Sequence, residues 1–290
     1  MSLTLGLSIS ASADLGGLGF DEMHLQDAMV EFSRYCLVGG LTIAYGGDLR
    51  REGFTRALFE LVDSHRRAGE SVERIRSFLA WPLHLNLAAS ERAQFRQIAR
   101  FERIPPPADL GIDPKVFLAP DSAEHRYVWA RCLSRMREIM NREIDARVCL
   151  GGQVRGYKGK YPGLVEEALM ALQAGKPLYL IGAFGGCARA LIEAVEGGRP
   201  AALTGGVQLG DADYAASVAL YNQRAAAVGE APVDYEGLLA FLQGRGIAGL
   251  NNGLDAVENR RLFATPHIPE MVALVLRGLA GVYGVANQQS

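Results

Sequence analysis

The chain has 290 residues, of which 49% are hydrophobic and 21% are charged, and its formal net charge is −2. This composition indicates a globular protein with a sizeable core, and it excludes the strongly basic surface typical of nucleic-acid-binding proteins. The first residues, MSLTLGLSIS, lack the basic start of a signal peptide, and no segment has the ~20 apolar residues that span a bilayer. We therefore expect a cytoplasmic protein that binds neither nucleic acid nor membrane.

Strand-like and helix-like patterns alternate along the first 199 residues. Short apolar runs that end in glycine or small polar residues predict strands at Leu3–Ser10, Leu41–Tyr45, Ser77–Leu85, Ala146–Leu150 and Pro177–Gly182. Apolar residues near the helical period predict helices at Asp21–Val38, Gly53–Arg67, Ala88–Arg100, Ser122–Glu143, Pro162–Ala174 and Gly185–Glu196. The alternation predicts an α/β, Rossmann-like fold, in which a parallel sheet carries helices on both faces.

The pattern changes from Pro200 onward, where no clear strand is found. Helices are predicted at Asp213–Ala227, Tyr235–Gln243 and Pro269–Gly281. We interpret residues 1–199 as a Rossmann-like nucleotide-binding domain and residues 200–290 as a helical C-terminal extension packed on it.

Glycine and small hydroxyl residues cluster where four of the predicted strands end, at Ser8–Ser12, Gly46–Asp48, Gly151–Gly163 and Gly182–Gly186. Ligands of parallel sheets bind beyond the carboxyl ends of the strands, so these clusters predict one shared ligand site. The alternative is that the glycines only make turns. The candidate ligand-binding residues are Ser10, Ser12, Gly46, Gly47, Asp48, Arg50, Thr55, Gly151, Gly152, Pro162, Gly163, Gly185 and Gly186.

The stretch around the third cluster has the features of an anion site. A basic helix precedes a strand and a glycine-rich loop, and a new helix then opens at Pro162 with Glu166 and Glu167 in its first turns. Backbone N–H groups and the helix dipole favour negative charge at such a helix start. In the alternative interpretation, the two glutamates are ordinary acids stabilised by that dipole.

Two side chains are candidates for chemistry on a phosphorylated sugar. Arg137 would pair with a phosphate, although Arg135 and Arg142 compete for this role. Glu167 would stabilise an oxocarbenium-like sugar or orient the attacking water. The cysteines and histidines show neither C-x-x-C nor H-E-x-x-H spacing, so we expect no metal site and no bound cofactor.

The order of these motifs resembles that of the Lonely Guy phosphoribohydrolases, formerly called lysine decarboxylase-like, and of the wider SLOG superfamily. The matching segments are Ala44–Asp48, Asp145–Gly152 with Met140, and Pro162–Glu167, and the resemblance covers roughly Leu5 to Gly186. The sequence departs from the family pattern, because no proline precedes Gly151 and the loop between Gly152 and Glu167 is longer. Asp48 replaces the third glycine of the first loop, and Met136 stands at the family's catalytic arginine, one place before Arg137.

The resemblance implies a nucleotide or nucleotide-sugar ligand and a homodimer or higher homo-oligomer. If the protein is an enzyme, the resemblance implies N-glycosidic cleavage of nucleoside monophosphates, with Glu167 and Arg137 as catalytic residues. The departures favour the alternative of a non-catalytic nucleotide sensor in stress or defence signalling. A dinucleotide-dependent oxidoreductase is a third alternative, although no G-x-G-x-x-G motif follows the first strand.

Overall fold

A parallel sheet forms the centre of the protein in a computed structural model, which describes residues 3–46, 58–59, 61–62, 74–97 and 99–284. The strands within this part of the chain are β1 (Thr4–Ser10), β2 (Thr42–Tyr45), β3 (Ile75–Ala80), β4 (Ala99–Ile104), β5 (Ala146–Gly151) and β6 (Leu178–Ile181). Their order across the sheet is β4-β3-β2-β1-β5-β6, and every neighbouring pair is parallel. The predicted α/β, Rossmann-like fold is confirmed.

Helices cover both faces of the sheet. Their bounds are α1 (Glu22–Val38), α2 (Ala89–Phe95), α3 (Ala123–Glu143), α4 (Gly163–Gln173), α5 (Gly186–Val195), α6 (Gly205–Gln208), α7 (Ala212–Ala225), α8 (Tyr235–Arg245), α9 (Ala256–Ala264) and α10 (Ile268–Tyr283). None of the described helices has the length and apolar character needed to cross a membrane.

Side chains along each strand point alternately to the two faces of the sheet, and each face carries a large apolar core. On one face, Leu5 and Leu7 of β1 pack in a cluster with Phe32 of α1 and Met271 of α10. On the other face, Cys149 of β5 belongs to a cluster with residues of α4, α5, α7 and α8. Successive strand residues point to opposite faces, so a parallel strand covered on both sides is apolar throughout.

In the middle of the chain, a predicted strand and a predicted helix both end earlier than the sequence indicated. The strand predicted at Ser77–Leu85 ends at Ala80, because the chain turns at Trp81-Pro82 and continues as a 3-10 turn, Leu83–Asn86. The helix predicted at Ala88–Arg100 ends at Phe95, and Ala99 begins β4. β4 is an edge strand with several partly exposed positions, so its sequence lacks the apolar run of a central strand. The helix predicted at Gly53–Arg67 lies mostly outside the described residues.

The C-terminal helices pack on the sheet and on the helices that cover it. The three that were predicted correspond to α7, α8 and α10, whereas the short α6 and α9 were missed. Asp255 caps α9 in a capping box with Glu258, a signal that marks a helix start. α9 and α10 meet β6 and α1, while α7 contacts α3 and α8 contacts α5. The division of the chain at residue 200 stays a prediction.

Both tryptophans of the chain hold the segment between β4 and α3, residues 105–122, which we call the connecting strap. The indole N–H of Trp81 donates to the carbonyl of Pro114 at 3.1 Å, and that of Trp129 donates to the carbonyl of Leu118 at 2.7 Å. Both indole rings are buried. These hydrogen bonds connect the strap to Trp81, which follows β3, and to Trp129 of α3. They also satisfy two buried indole N–H groups that would otherwise lack a partner.

Gly278 marks the closest approach of α10 to the sheet. A Cβ added there would lie 2.4 Å from the carbonyl oxygen of Asn252 and 2.6 Å from the ring of Tyr179. We expect Gly278→Ala to destabilise the fold by about 1–3 kcal/mol through overpacking. The measurement is urea unfolding followed by circular dichroism.

Gly244 in α8 is the matched control, because nothing lies within 4 Å of a Cβ built there. Gly244→Ala should be neutral or stabilise by about 0.5–1 kcal/mol, since alanine favours helix interiors. Equal effects of the two substitutions would contradict the close packing of α10.

Candidate functional site

The strand order reverses at β1, and the carboxyl ends of β1 and β5 lie side by side there. Ser10 is in register with Gly151 at this point. In open α/β sheets the crevice at such a switch point is where ligands bind. The clusters that follow β1, β5 and β6 come together here, as the sequence predicted for the ends of parallel strands.

Backbone and hydroxyl groups join the loops at this edge to each other. The N–H of Gly152 donates to the carbonyl of Ser10 at 2.8 Å, and the N–H of Cys187 donates to the carbonyl of Gly152 at 3.1 Å. The hydroxyl of Ser12 donates to the carbonyl of Phe184 at 2.8 Å. These groups support the shape of the edge, and the two N–H groups are already used within the protein.

The N-terminus of α5 carries a carboxylate of the protein itself. Asp14, in the loop after β1, accepts a hydrogen bond from the N–H of Gly186 at 2.7 Å. Gly186 has φ +63°, and a Cβ there would lie 2.2 Å from the carbonyl oxygen of Gly152, so only glycine fits this crossing. Phe184 is buried and packs against Phe20 at a ring separation of 5.3 Å, which places it in the core.

A group of buried charges lies between the sheet and α3 and α4, and we call Arg137, Arg147, Glu166 and Glu167 the buried charge cluster. Arg137 Nη1 donates to Glu166 Oε2 at 2.5 Å. Arg147 Nη1 donates to Glu167 Oε2 at 2.6 Å. Arg137 Nε lies 3.6 Å from Glu167 Oε1, which links the two pairs.

Two serines complete the cluster. Ser134 of α3 donates to Glu166 Oε1, and Ser8 of β1 donates to Glu167 Oε2. Adjacent helical residues point about 100° apart, so Glu166 faces α3 while Glu167 faces the sheet. The cluster therefore connects β1, β5, α3 and α4 through polar contacts.

The glycine-rich loop lies directly on Arg137. A Cβ at Gly159 would be 2.8 Å from Arg137 Nη1, and a Cβ at Gly163 would be 2.7 Å from Arg137 Nη2. Larger residues at these two positions would displace the guanidinium group. Arg135 and Arg142 are exposed, so of the three arginines considered for the phosphate only Arg137 points inward.

Arg137 and Glu167 keep a small exposed fraction that their partners lack. Their side chains are 9% and 8% exposed, against 1% for Glu166 and 0% for Arg147. The two residues that the sequence put forward for catalysis are thus the least buried members of the cluster. The sequence analysis missed Arg147 and Ser134. Arg147 could have been noticed, because an arginine inside an apolar strand is unusual.

Met136 and Arg137 have different environments although they are adjacent. Met136 is buried, and its sulfur would lie 3.3 Å from a Cβ at Gly46, at the end of β2. The position at which the resemblance to the Lonely Guy enzymes would place an arginine therefore contributes packing at the end of β2. Gly47, Asp48, Arg50 and Thr55 were also put forward as ligand-binding residues, and they lie outside the described residues.

Three tyrosine hydroxyls, the tyrosine cluster, tie the glycine-rich loop to the C-terminal helices. Tyr235 is the central member, with its hydroxyl 2.8 Å from that of Tyr157 and 2.6 Å from that of Tyr214. Tyr214 donates to the carbonyl of Lys160 at 2.6 Å, and Tyr157 donates to Gln208 at 2.8 Å. Burial raises the pKa of Tyr214 to about 12 and that of Tyr157 further, so these hydroxyls remain donors.

A separate cavity of about 740 Å³ opens beyond the carboxyl end of β6. It is lined by apolar residues such as Phe20, Ile192 and Phe263, and its rim includes Arg189 and Arg260. It shares no lining residue with the buried charge cluster. Within the described ranges, no group of three or more His, Cys, Asp or Glu side chains is arranged to hold a metal ion.

The comparison with protein families agrees with the motif order. A family model described as SLOG cluster2 matches residues 1–262. The expected SLOG relationship is thus confirmed, and the match extends beyond the segment in which the motifs were found. No curated protein matches the chain.

We expect Glu166→Gln to destabilise the protein by about 3–5 kcal/mol, because it leaves Arg137 buried without its nearest counter-charge. The measurement is chemical unfolding at neutral pH. The matched control is Glu236→Gln, which breaks an exposed ion pair with Arg199 (2.6 Å). Exposed pairs contribute little, so the control should unfold nearly as the wild type does. Similar losses in both variants would mean that the buried charge cluster does not stabilise the fold.

Proposed function

Since this chain belongs to the SLOG cluster2 family, we propose that it binds a nucleotide or nucleotide-derived ligand at the carboxyl edge of the sheet. The observation that carries the proposal is that the start of α4, which follows β5, lies against Arg137, and that Arg137 and Glu167 are the least buried members of the buried charge cluster. Family membership supports a nucleotide-related function. The geometry supports the particular edge and residues.

The ligand's phosphate is proposed to bind at the start of α4. The α4 N-terminus has no side-chain cap, because Pro162 occupies the capping position. Arg137 Nη2 adjoins Gly163 and has no hydrogen-bond partner among the described residues. An uncapped helix start beside a free guanidinium nitrogen combines the two groups that bind phosphate best.

The ligand's sugar is proposed to meet Glu167. The carboxylate would repel a phosphate but accept a hydrogen bond from a ribose hydroxyl or from a water. If the protein cleaves the N-glycosidic bond, this carboxylate would stabilise the positive charge that develops on the sugar or orient the water. This is the chemistry of the nucleoside monophosphate phosphoribohydrolases.

The second candidate function is a nucleotide sensor without catalysis, and Met136 is the observation that favours it. Methionine stands at the family's catalytic arginine and is packed under Gly46. One cation of the reaction centre is therefore replaced by an apolar side chain. A sensor needs only the phosphate and sugar contacts, which Arg137 and Glu167 would supply. We also propose that the protein is a homodimer or higher homo-oligomer.

Ligand binding is tested with a panel of nucleoside monophosphates, ADP-ribose, NAD and cyclic dinucleotides. A ligand at a hundredfold excess over its Kd should stabilise the protein by about 2.7 kcal/mol, measured as a thermal shift. Arg137→Met combined with Glu166→Gln removes one positive and one negative charge together. This double variant should fold and bind the phosphorylated ligand about tenfold or more weakly, because a charge-assisted hydrogen bond contributes about 1.5–3 kcal/mol.

The control for this test is Arg199→Met combined with Glu236→Gln, which removes an exposed pair distant in sequence from the site. It should bind as the wild type does. Absence of any shift across the panel would end the proposal of nucleotide binding.

The product distinguishes the enzyme from the sensor. We expect AMP incubated with a phosphoribohydrolase to yield free adenine, detected by chromatography, and we expect Glu167→Gln to abolish that turnover. Tight binding with no free base would identify a sensor. Turnover that survives in folded Glu167→Gln would move the chemistry to another carboxylate, and Asp48 is the next one to test.

A further inference from the structure

Arg147 is a fully buried arginine inside the central part of the sheet. It lies in β5, in register with Gly6 of β1, and its side chain is 0% exposed. Its Nε and Nη2 atoms have no hydrogen-bond partner among the described residues. Burying a charge costs several kcal/mol, and well-packed apolar residues often replace a buried ion pair without loss of stability. Packing alone therefore gives no reason for an arginine at this position.

The contacts of Arg147 all converge on one oxygen of Glu167. Arg147 Nη1 donates to Glu167 Oε2 at 2.6 Å and to Ser8 Oγ at 2.7 Å, and Ser8 itself donates to the same Oε2. The other oxygen, Oε1, is 3.6 Å from Arg137 Nε, beyond hydrogen-bond distance. Glu167 therefore keeps Oε1 as an acceptor, while Oε2 is fixed from the sheet side.

We propose that Arg147 is a positioning residue of the nucleotide site, which, with Ser8, fixes Oε2 of Glu167 and directs its Oε1 toward the ligand. This inference rests on the proposed function, because it takes Glu167 as the side chain that meets the sugar. Arg147 then neutralises Glu167 from within the sheet. That arrangement leaves Arg137 Nη2 for the phosphate.

The charge balance of the site shows what the loss of Arg147 would change. The groups that face Glu167 are Arg137 from α3, Arg147 and Cys149 from β5, and the adjacent Glu166. Burial raises the pKa of Cys149 to about 12, so its thiol stays neutral. The two arginines balance the two glutamates, and Arg147→Met leaves one negative charge in excess. That excess is expected to displace Glu167 from the position in which Arg147 and Ser8 hold it, because a buried site disfavours an unpaired charge.

The test compares Arg147→Met, Arg147→Lys and wild type in calorimetric titrations with AMP and with ADP-ribose. Arg147→Met should bind at least about tenfold more weakly at pH 7, a difference of about 1.4 kcal/mol. Arg147→Lys should recover part of the affinity because it restores the charge.

Arg131→Met is the matched control, because Arg131 is also buried and paired, with Asp109 at 3.0 Å. It is expected to lower the unfolding midpoint and leave the affinity for both probes unchanged. If wild type binds the probes and folded Arg147→Met binds them equally well, the positioning role of Arg147 is overturned. The proposed function would still stand in that case. If Arg147→Met does not fold, Arg147→Lys and Ser8→Ala carry the test, and each should weaken binding about threefold or more.

A ligand-free measurement separates this inference from the proposed function. The carbon-13 carboxyl signal of Glu167, assigned by its loss in Glu167→Gln, should shift in Arg147→Met, because Oε2 loses the hydrogen bond from Arg147 Nη1. If the wild type binds neither AMP nor ADP-ribose, the proposed function loses its support. The Glu167 signal then tests the role of Arg147 by itself. A Glu167 signal that is the same in wild type and Arg147→Met would overturn the role of Arg147.

Discussion

Two buried guanidinium groups and two buried carboxylates hold the helix layer onto the sheet. Each of β5 and α3 contributes an arginine, α4 contributes both glutamates, and β1 contributes the serine that completes the contact with Glu167. Since the formal charges balance, the cluster is far more stable complete than with one member missing. The relative positions of these four elements are therefore fixed by electrostatics as well as by apolar packing.

The glycine-rich loop takes its shape from what lies below it and beside it. Gly159 and Gly163 rest on the guanidinium group of Arg137, and the tyrosine cluster anchors the same loop to α7 and α8. The loop thus depends on residues from both parts of the chain that the sequence analysis had separated at residue 200. A ligand bound at the start of α4 would meet a surface that is already formed, which lowers the entropic cost of binding.

Much of the fold could be predicted from the sequence, and the exceptions have physical causes. The helix predicted at Ser122–Glu143 agrees closely with α3, because Ser122 caps it and its apolar residues follow the helical period. β4 was missed because an edge strand buries fewer of its side chains and does not form an apolar run. α9 was missed because its polar face obscured the period, although Asp255 and Glu258 carried the capping signal.

The candidate site was less accessible to prediction than the fold. The glycine clusters could be placed at one edge, because parallel strands end together there. The pairing of Arg137 with Glu166, the pairing of Arg147 with Glu167 and the carboxylate of Asp14 at α5 depend on contacts between distant residues. No local pattern encodes such contacts. An arginine within an apolar strand was the one local irregularity, and irregularities of this kind occur at functional sites.

The two indole donors to the connecting strap determine what the intrinsic fluorescence of this protein reports. The chain contains two tryptophans, and both are buried against this one segment. Neither belongs to the buried charge cluster or to the loops of the switch point. Tryptophan emission is therefore a local optical reporter of the strap and of β3 and α3. Binding at the proposed nucleotide site would therefore be followed better by a signal of the ligand than by the emission of the protein.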